Sequence, residues 1–184
     1  MSSPSRLVLD IRDLPQRVGA FAHHDITYTV TEPWGTPVIA VPPGTELALS
    51  VDLTSIEQGV LARIRTHAVA VGECVRCLDP VEREVDVDTS EVFYLSIEVA
   101  LLEGDDEEDA TDFALIEGDS VDLTGPLLDA IVSQLPYQPL CSPDCPGLCP
   151  TCGVPLRSAE PGHHHEVADP RWQALEGFFG KDDE

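Results

Sequence analysis

The chain has 184 residues, with 34 acidic against 10 basic side chains and a formal net charge of −24. Such a surface repels phosphate backbones, which excludes nucleic-acid binding through a broad basic face; a basic protein partner suits the field, and the same acids also serve plain solubility. Hydrophobic content of 42% supports a core, 16 prolines and 5% aromatics favour strands and loops, and no run nears a membrane span of about 20 apolar residues.

Met1-Ser2-Ser3-Pro4-Ser5-Arg6 lacks the basic region and apolar run of a secretory leader, so the expected compartment is the cytoplasm. In that reducing setting the six cysteines read as metal ligands; an oxidising one would make them disulfides. Residues 1–45 carry short apolar runs between turn signals, among them Leu7-Val8-Leu9 and Ile26-Thr27-Tyr28-Thr29-Val30, and read as short strands and loops. Pro42-Pro43-Gly44 is a turn. Beyond it Leu47, Leu49, Val51 and Leu53 alternate with polar or small residues, and a second alternating run passes through Ala62, Ile64, Thr66, Ala68 and Ala70. In a third, Val81, Arg83, Val85 and Val87 face one way and Glu82, Glu84, Asp86 and Asp88 the other. The segment joining the last two runs is Cys74-Val75-Arg76-Cys77-Leu78-Asp79-Pro80, which predicts an antiparallel hairpin with Cys74 and Cys77 in its turn. Arg83 on an apolar face requires an edge position or a carboxylate partner.

Glu103-Gly104-Asp105-Asp106-Glu107-Glu108-Asp109 is too charged to bury and reads as a solvated loop, or else as a docking tail for a basic partner. A helix follows: Asp122 or Thr124 as cap, Pro126 in the first turn, Leu127, Leu128, Ile131, Val132 and Leu135 on one face, and Pro136 as stop. A second helix is expected from Asp169 and Pro170 through Trp172, Leu175 and Phe179. The fold class is therefore α+β: an antiparallel β-rich part over 1–102 with a core helix, an acidic loop over 103–112, and a helix, cysteine-rich zinc segment and short helix over 113–184. The two larger parts are expected to pack as one domain.

Cys149-Pro150-Thr151-Cys152-Gly153 has the form of a zinc knuckle, two thiolates on a tight turn followed by a glycine that tolerates positive φ. Cys141 and Cys145 form a looser pair, Cys74 and Cys77 a third, and His163-His164-His165 adds imidazoles. Zinc suits these ligands. Two groupings are open. Cys141, Cys145, Cys149 and Cys152 close one local site, leaving Cys74 and Cys77 as redox-capable thiols; or Cys74 and Cys77 join Cys141 and Cys145, while Cys149 and Cys152 join two histidines, such as His163 and His165. Either site is structural, because protein fills every position and leaves none for water or substrate. The plainer readings are a redox pair at Cys74 and Cys77, which lacks the strand-to-helix setting that activates a thiol, and a solvated histidine turn after Pro161-Gly162. His23, His24 and His67 read as surface or satisfied residues. No phosphate-binding glycine loop, nucleophile elbow or helical pair of metal histidines is present, so neither an enzyme nor a small-molecule substrate is expected.

The order of Cys74-Val75-Arg76-Cys77-Leu78-Asp79-Pro80, the segment Ser120 to Pro136, the run Pro139 to Gly153 and Asp169-Pro170-Arg171-Trp172 resembles the bacterial YceD family over roughly residues 45–180. The resemblance implies a part in accumulation of the large-subunit 23S rRNA, hence in large-subunit biogenesis. It carries the family's cysteine positions onto Cys74, Cys77, Cys141, Cys145, Cys149 and Cys152. Where the family often has further cysteines, this chain has His163, His164 and His165. The expected partner is a basic large-subunit ribosomal protein or a pre-ribosomal particle, met by the acidic face at 81–88 and the loop at 103–109. Direct RNA contact is open only at a small patch around Arg63 and Arg65. The alternative is a redox- or zinc-responsive regulator using Cys74 and Cys77.

Overall fold

Alternation of apolar and polar residues sets the frame of the fold, a computed structural model in which residues 6–103 and 113–165 are described. In chain order the elements are β1 (Val8–Asp10), β2 (Phe21–Thr29), β3 (Trp34–Gly35), β4 (Ile39–Val41), β5 (Glu46–Ser55), β6 (Gly59–Glu73), β7 (Pro80–Tyr94), α1 (Ile97–Glu103), β8 (Ser120–Asp122) and α2 (Thr124–Val132). The architecture is β-rich and antiparallel with few helices, an α+β arrangement as expected. The chain divides into two compact units, Met1–Cys141 and Ser142–Glu184. The acidic stretch after Glu103 and the helix expected from Asp169 lie outside the described residues.

In the first unit β2, β5 and β6 lie side by side, and β7 pairs with β6 over the whole hairpin, from Gly59 opposite Tyr94 to Glu73 opposite Pro80. The other edge of β6 is shared: β5 takes Val60 to Thr66, and β4, which carries β3, takes Val71 and Gly72. β1 and β8 form a separate antiparallel pair. The alternation has the expected faces. Leu47, Leu49, Val51, Leu53, Ala62, Ile64, Ala68, Val85 and Val87 are buried in one core, and α2 adds Leu127 and Ile131 to it. Each of these larger side chains contributes about 1.5–3 kcal/mol on leaving water. Arg83 is exposed, and within the six-stranded sheet β7 pairs with β6 alone, so an edge position explains it.

Three details differ from the sequence reading. The helix stops at Val132 and not at Pro136: Gln134 and Leu135 donate to the carbonyls of Ile131 and Val132, tightening the last turn and keeping Leu135 buried. Its N-cap is Leu123, without a side-chain bond, while the Asp122 carboxylate accepts the Thr124 N–H at 2.9 Å. The short helix α1 was not anticipated; Ser96 Oγ accepts the Val99 N–H at its start, and Glu98 lies in its first turn.

The opposite face of the sheet is polar and exposed. Asp52 meets His23 at 2.7 Å and Arg65 at 2.5 Å, Arg63 meets Asp88 at 2.6 Å, and His67 meets Asp86 at 2.9 Å. Arg63 and Arg65 are thus matched by carboxylates and form no bare cationic patch. Exposed pairs of this kind contribute at most about 1 kcal/mol each. Glu82 and Glu84 have no ion-pair partner among the described residues, and with Asp86 and Asp88 they stand exposed along β7.

Candidate metal centres

The hairpin between β6 and β7 closes on a knuckle. Leu78 donates to the Cys74 carbonyl at 2.9 Å, Cys74 donates to Asp79 at 2.8 Å, and Val75 donates to Pro139 at 3.0 Å. The last bond fastens the turn to the segment that delivers Cys141. Cys74 and Cys77 are buried, and the Cys77 sulfur lies 3.5 Å from that of Cys141. A disulfide needs about 2.05 Å. Two thiolates at about 2.3 Å from one tetrahedral zinc stand about 3.8 Å apart, so the spacing fits shared coordination. The sulfurs of Cys74, Cys77 and Cys141 all lie within 4.8 Å of one another. No disulfide links any of the chain's six cysteines. Burial pushes the Cys74 thiol up, but N–H groups of Cys141, Arg76 and Cys77 aimed at the sulfur outweigh it and bring it from 9.0 to about 6.

The second unit repeats the knuckle. Gly153 donates to the Cys149 carbonyl at 2.8 Å, and Cys149 donates to Val154 at 2.8 Å. Gly153 has φ +73°, and Leu78 holds the equivalent place in the first knuckle at φ +63°. A bridge between Leu148 and Pro155 and a 3-10 turn at Leu156–Ser158 carry the chain back toward His163. There Cys152 Sγ lies 3.4 Å from His163 Nε2, which lies 3.2 Å from His165 Nε2. Tetrahedral zinc sets these sulfur–nitrogen and nitrogen–nitrogen edges at about 3.5 and 3.3 Å. The ligand atoms of Cys149, Cys152, His163 and His165 all fall within 4.8 Å of each other. N–H groups of Cys152 and Thr151, helped by His163, bring the Cys149 thiol down to about 6. His164 turns aside and donates from Nδ1 to the Gly162 carbonyl at 2.8 Å.

Cys141 thus lies beside Cys74 and Cys77, and Cys149 and Cys152 lie beside His163 and His165. Cys145 is buried, and its N–H closes a turn on the Ser142 carbonyl at 3.1 Å, one residue past Cys141. Cys74 and Cys149, one in each group, are lowered to about 6, and both groups share soft or borderline donors, the chemistry of a cysteine-rich metal centre. The sequence reading missed the equivalence of Leu78 and Gly153, which the common Cys-x-x-Cys-x frame already carried. His23 and His67 are surface residues paired with Asp52 and Asp86. His24 differs: its Nε2 is buried without a partner. A cavity of about 640 Å³ with Ile11, Leu14, Ile56 and Leu95 in its wall is lined by no cysteine or histidine.

Residues 62–179 match a family described as large ribosomal RNA subunit accumulation protein YceD, a span that holds every candidate ligand. An uncharacterized protein of Mycobacterium tuberculosis (strain ATCC 25618 / H37Rv) is 40% identical over 177 residues, covering 96% of this chain and 83% of the relative. One of Mycobacterium leprae (strain TN) is 34% identical over 181 residues, covering 97% of this chain and 80% of that protein. No solved structure matches the chain.

Proposed function

We propose that this chain, which belongs to the YceD family of large ribosomal RNA subunit accumulation proteins, is a non-catalytic, zinc-stabilised factor that supports 23S rRNA by holding a basic large-subunit ribosomal protein or a pre-ribosomal particle in the cytoplasm. The observation that carries the reading is the row Glu82, Glu84, Asp86 and Asp88, exposed along one edge strand of a chain with net charge −24. Such a row attracts a lysine- and arginine-rich protein and speeds its encounter, while it repels free RNA.

Zinc holds the scaffold that presents the row. Cys74, Cys77 and Cys141 bind the first ion, and Cys145 supplies the fourth thiolate. Cys149, Cys152, His163 and His165 bind the second. With four protein ligands at each ion, neither zinc has a place for substrate, and the role of both is structural. Structural zinc contributes about 10–16 kcal/mol to small metal domains, far more than the surface ion pairs of the sheet.

Mixing the zinc-loaded protein with purified basic large-subunit proteins at rising salt tests the proposal. Association that weakens steadily with salt supports it, and salt-insensitive or absent association contradicts it. A second reading, a redox- or zinc-responsive regulator, draws on the 3.5 Å approach of Cys77 to Cys141; two tightly held zincs per chain would leave it no free thiol.

A further inference from the structure

The first knuckle exposes apolar side chains that metal binding does not require. Leu78 is 60% exposed and Val75 44%, and both border a cleft of about 440 Å³ whose wall includes Val38 and Val71, themselves partly in solvent. Leu78 is also strained. Among the described residues it is the one non-glycine with positive φ, a conformation that penalises its Cβ, whereas the second knuckle uses glycine there. A large side chain kept in that conformation without burial marks a working position, not a packing one. The rim is acidic. Glu73 ends β6, and Glu82 and Glu84 stand opposite Val71 and Val69; all three are exposed and lack ion-pair partners among the described residues. Arg76, in the same turn, already has an interaction of its own.

We infer that this cleft seats one large apolar side chain of an extended basic segment of a partner protein. Leu78 and Val75 close on the anchor, and Glu73, Glu82 and Glu84 take the lysines or arginines flanking it. The inference rests on the basic-partner reading and names its surface. Two copies of so acidic a chain repel, and the acidic rim repels RNA, which leaves a cationic peptide as the occupant.

The test is fluorescence anisotropy of the zinc-loaded protein with a labelled peptide of one leucine flanked by three lysines on each side, against the same peptide with serine at the centre. The leucine peptide should bind about tenfold more tightly, the scale of one partly buried leucine. Leu78→Gly should erase that difference while the melting temperature holds or rises, because glycine relieves the positive φ. Val75→Ser should weaken the leucine peptide alone, and Glu82→Gln with Glu84→Gln should weaken both peptides and flatten their salt dependence. Equal binding of the two peptides, unchanged affinity in Leu78→Gly, a wild-type dimer that this variant dissociates, or tighter binding of a single-stranded RNA of the same length would overturn the inference. Basic ribosomal proteins that bind wild type and Leu78→Gly alike would overturn the cleft and leave the partner reading standing. Peptide discrimination without any ribosomal-protein binding would support the cleft and sink that reading.

Discussion

The sulfurs of Cys77 and Cys141 approach to 3.5 Å although 64 residues separate them in the chain. The β7 strand, α1, β8 and α2 all lie between them in sequence. The turn on one side is held by β6–β7 pairing, and the Val75 to Pro139 bond fixes the segment on the other. Closing so long a loop costs chain entropy, which a shared metal ion would offset.

Removal of the metal should convert this contact into a covalent one. After chelation, the disulfide oxidant diamide should link Cys77 to Cys141, a closure from 3.5 Å to about 2.05 Å. The same treatment of the zinc-loaded protein should leave both thiolates unreacted. Peptide mapping by mass spectrometry reads the outcome, and linkage that is indifferent to zinc would count against coordination at this pair.

Acid should release the metal. Cys74 and Cys149 are lowered from 9.0 to about 6, so their sulfurs are anionic at neutral pH in the folded chain. Lowered pKa values give stability that is fully present above about 9, where unfolded thiols also ionise, and that is lost as pH falls through about 6. Zinc release followed with a chromogenic chelator should therefore be slight at pH 7.5 and steep below about 6. A flat profile between 7.5 and 5 would contradict the assignment of these thiolates as ligands.

Gly153 sits at φ +73° in the second knuckle. Replacing it with alanine should cost about 1–2 kcal/mol, the penalty of a left-handed Cβ, seen as easier zinc extraction from Cys149, Cys152, His163 and His165. Leu78→Gly makes the opposite change in the first knuckle. Its relief of strain is partly offset by about 0.5–1 kcal/mol of glycine chain entropy, so urea unfolding should show a change between zero and a small gain.

The core and the polar face should respond differently. Ile131→Ala removes a fully buried side chain of α2 and should cost about 2–5 kcal/mol in urea unfolding. Arg63→Ala breaks an exposed pair with Asp88 and should cost less than about 1 kcal/mol. Similar losses for the two would contradict the burial of Ile131 and the exposure of the Arg63–Asp88 pair.

The hairpin was legible in the chain because Ala62 to Ala70 and Val81 to Val87 keep a strict period of two, which fixes both faces and leaves Cys74 and Cys77 in the connection. α2 was legible from Leu127 and Ile131, one turn apart. The pairing of β1 with β8 was not: it joins Leu9 to Val121, and nothing local in either three-residue strand announces a partner so distant. α1 is too short for periodicity to stand out. The carboxylates opposite Arg63 and Arg65 depend on strand register, which an apolar pattern constrains only to within the right face. The approach of His163 and His165 to Cys149 and Cys152 was the least readable feature, since it follows only after the Leu156–Ser158 turn reverses the chain.

We propose two structural zinc ions per chain, one at Cys74, Cys77, Cys141 and Cys145 and one at Cys149, Cys152, His163 and His165. Native mass spectrometry of the wild type, Cys77→Ser and Cys152→Ser tests it directly. Two zincs are expected in the wild type and one in each variant. A single zinc in the wild type that Cys77→Ser leaves unchanged would contradict it.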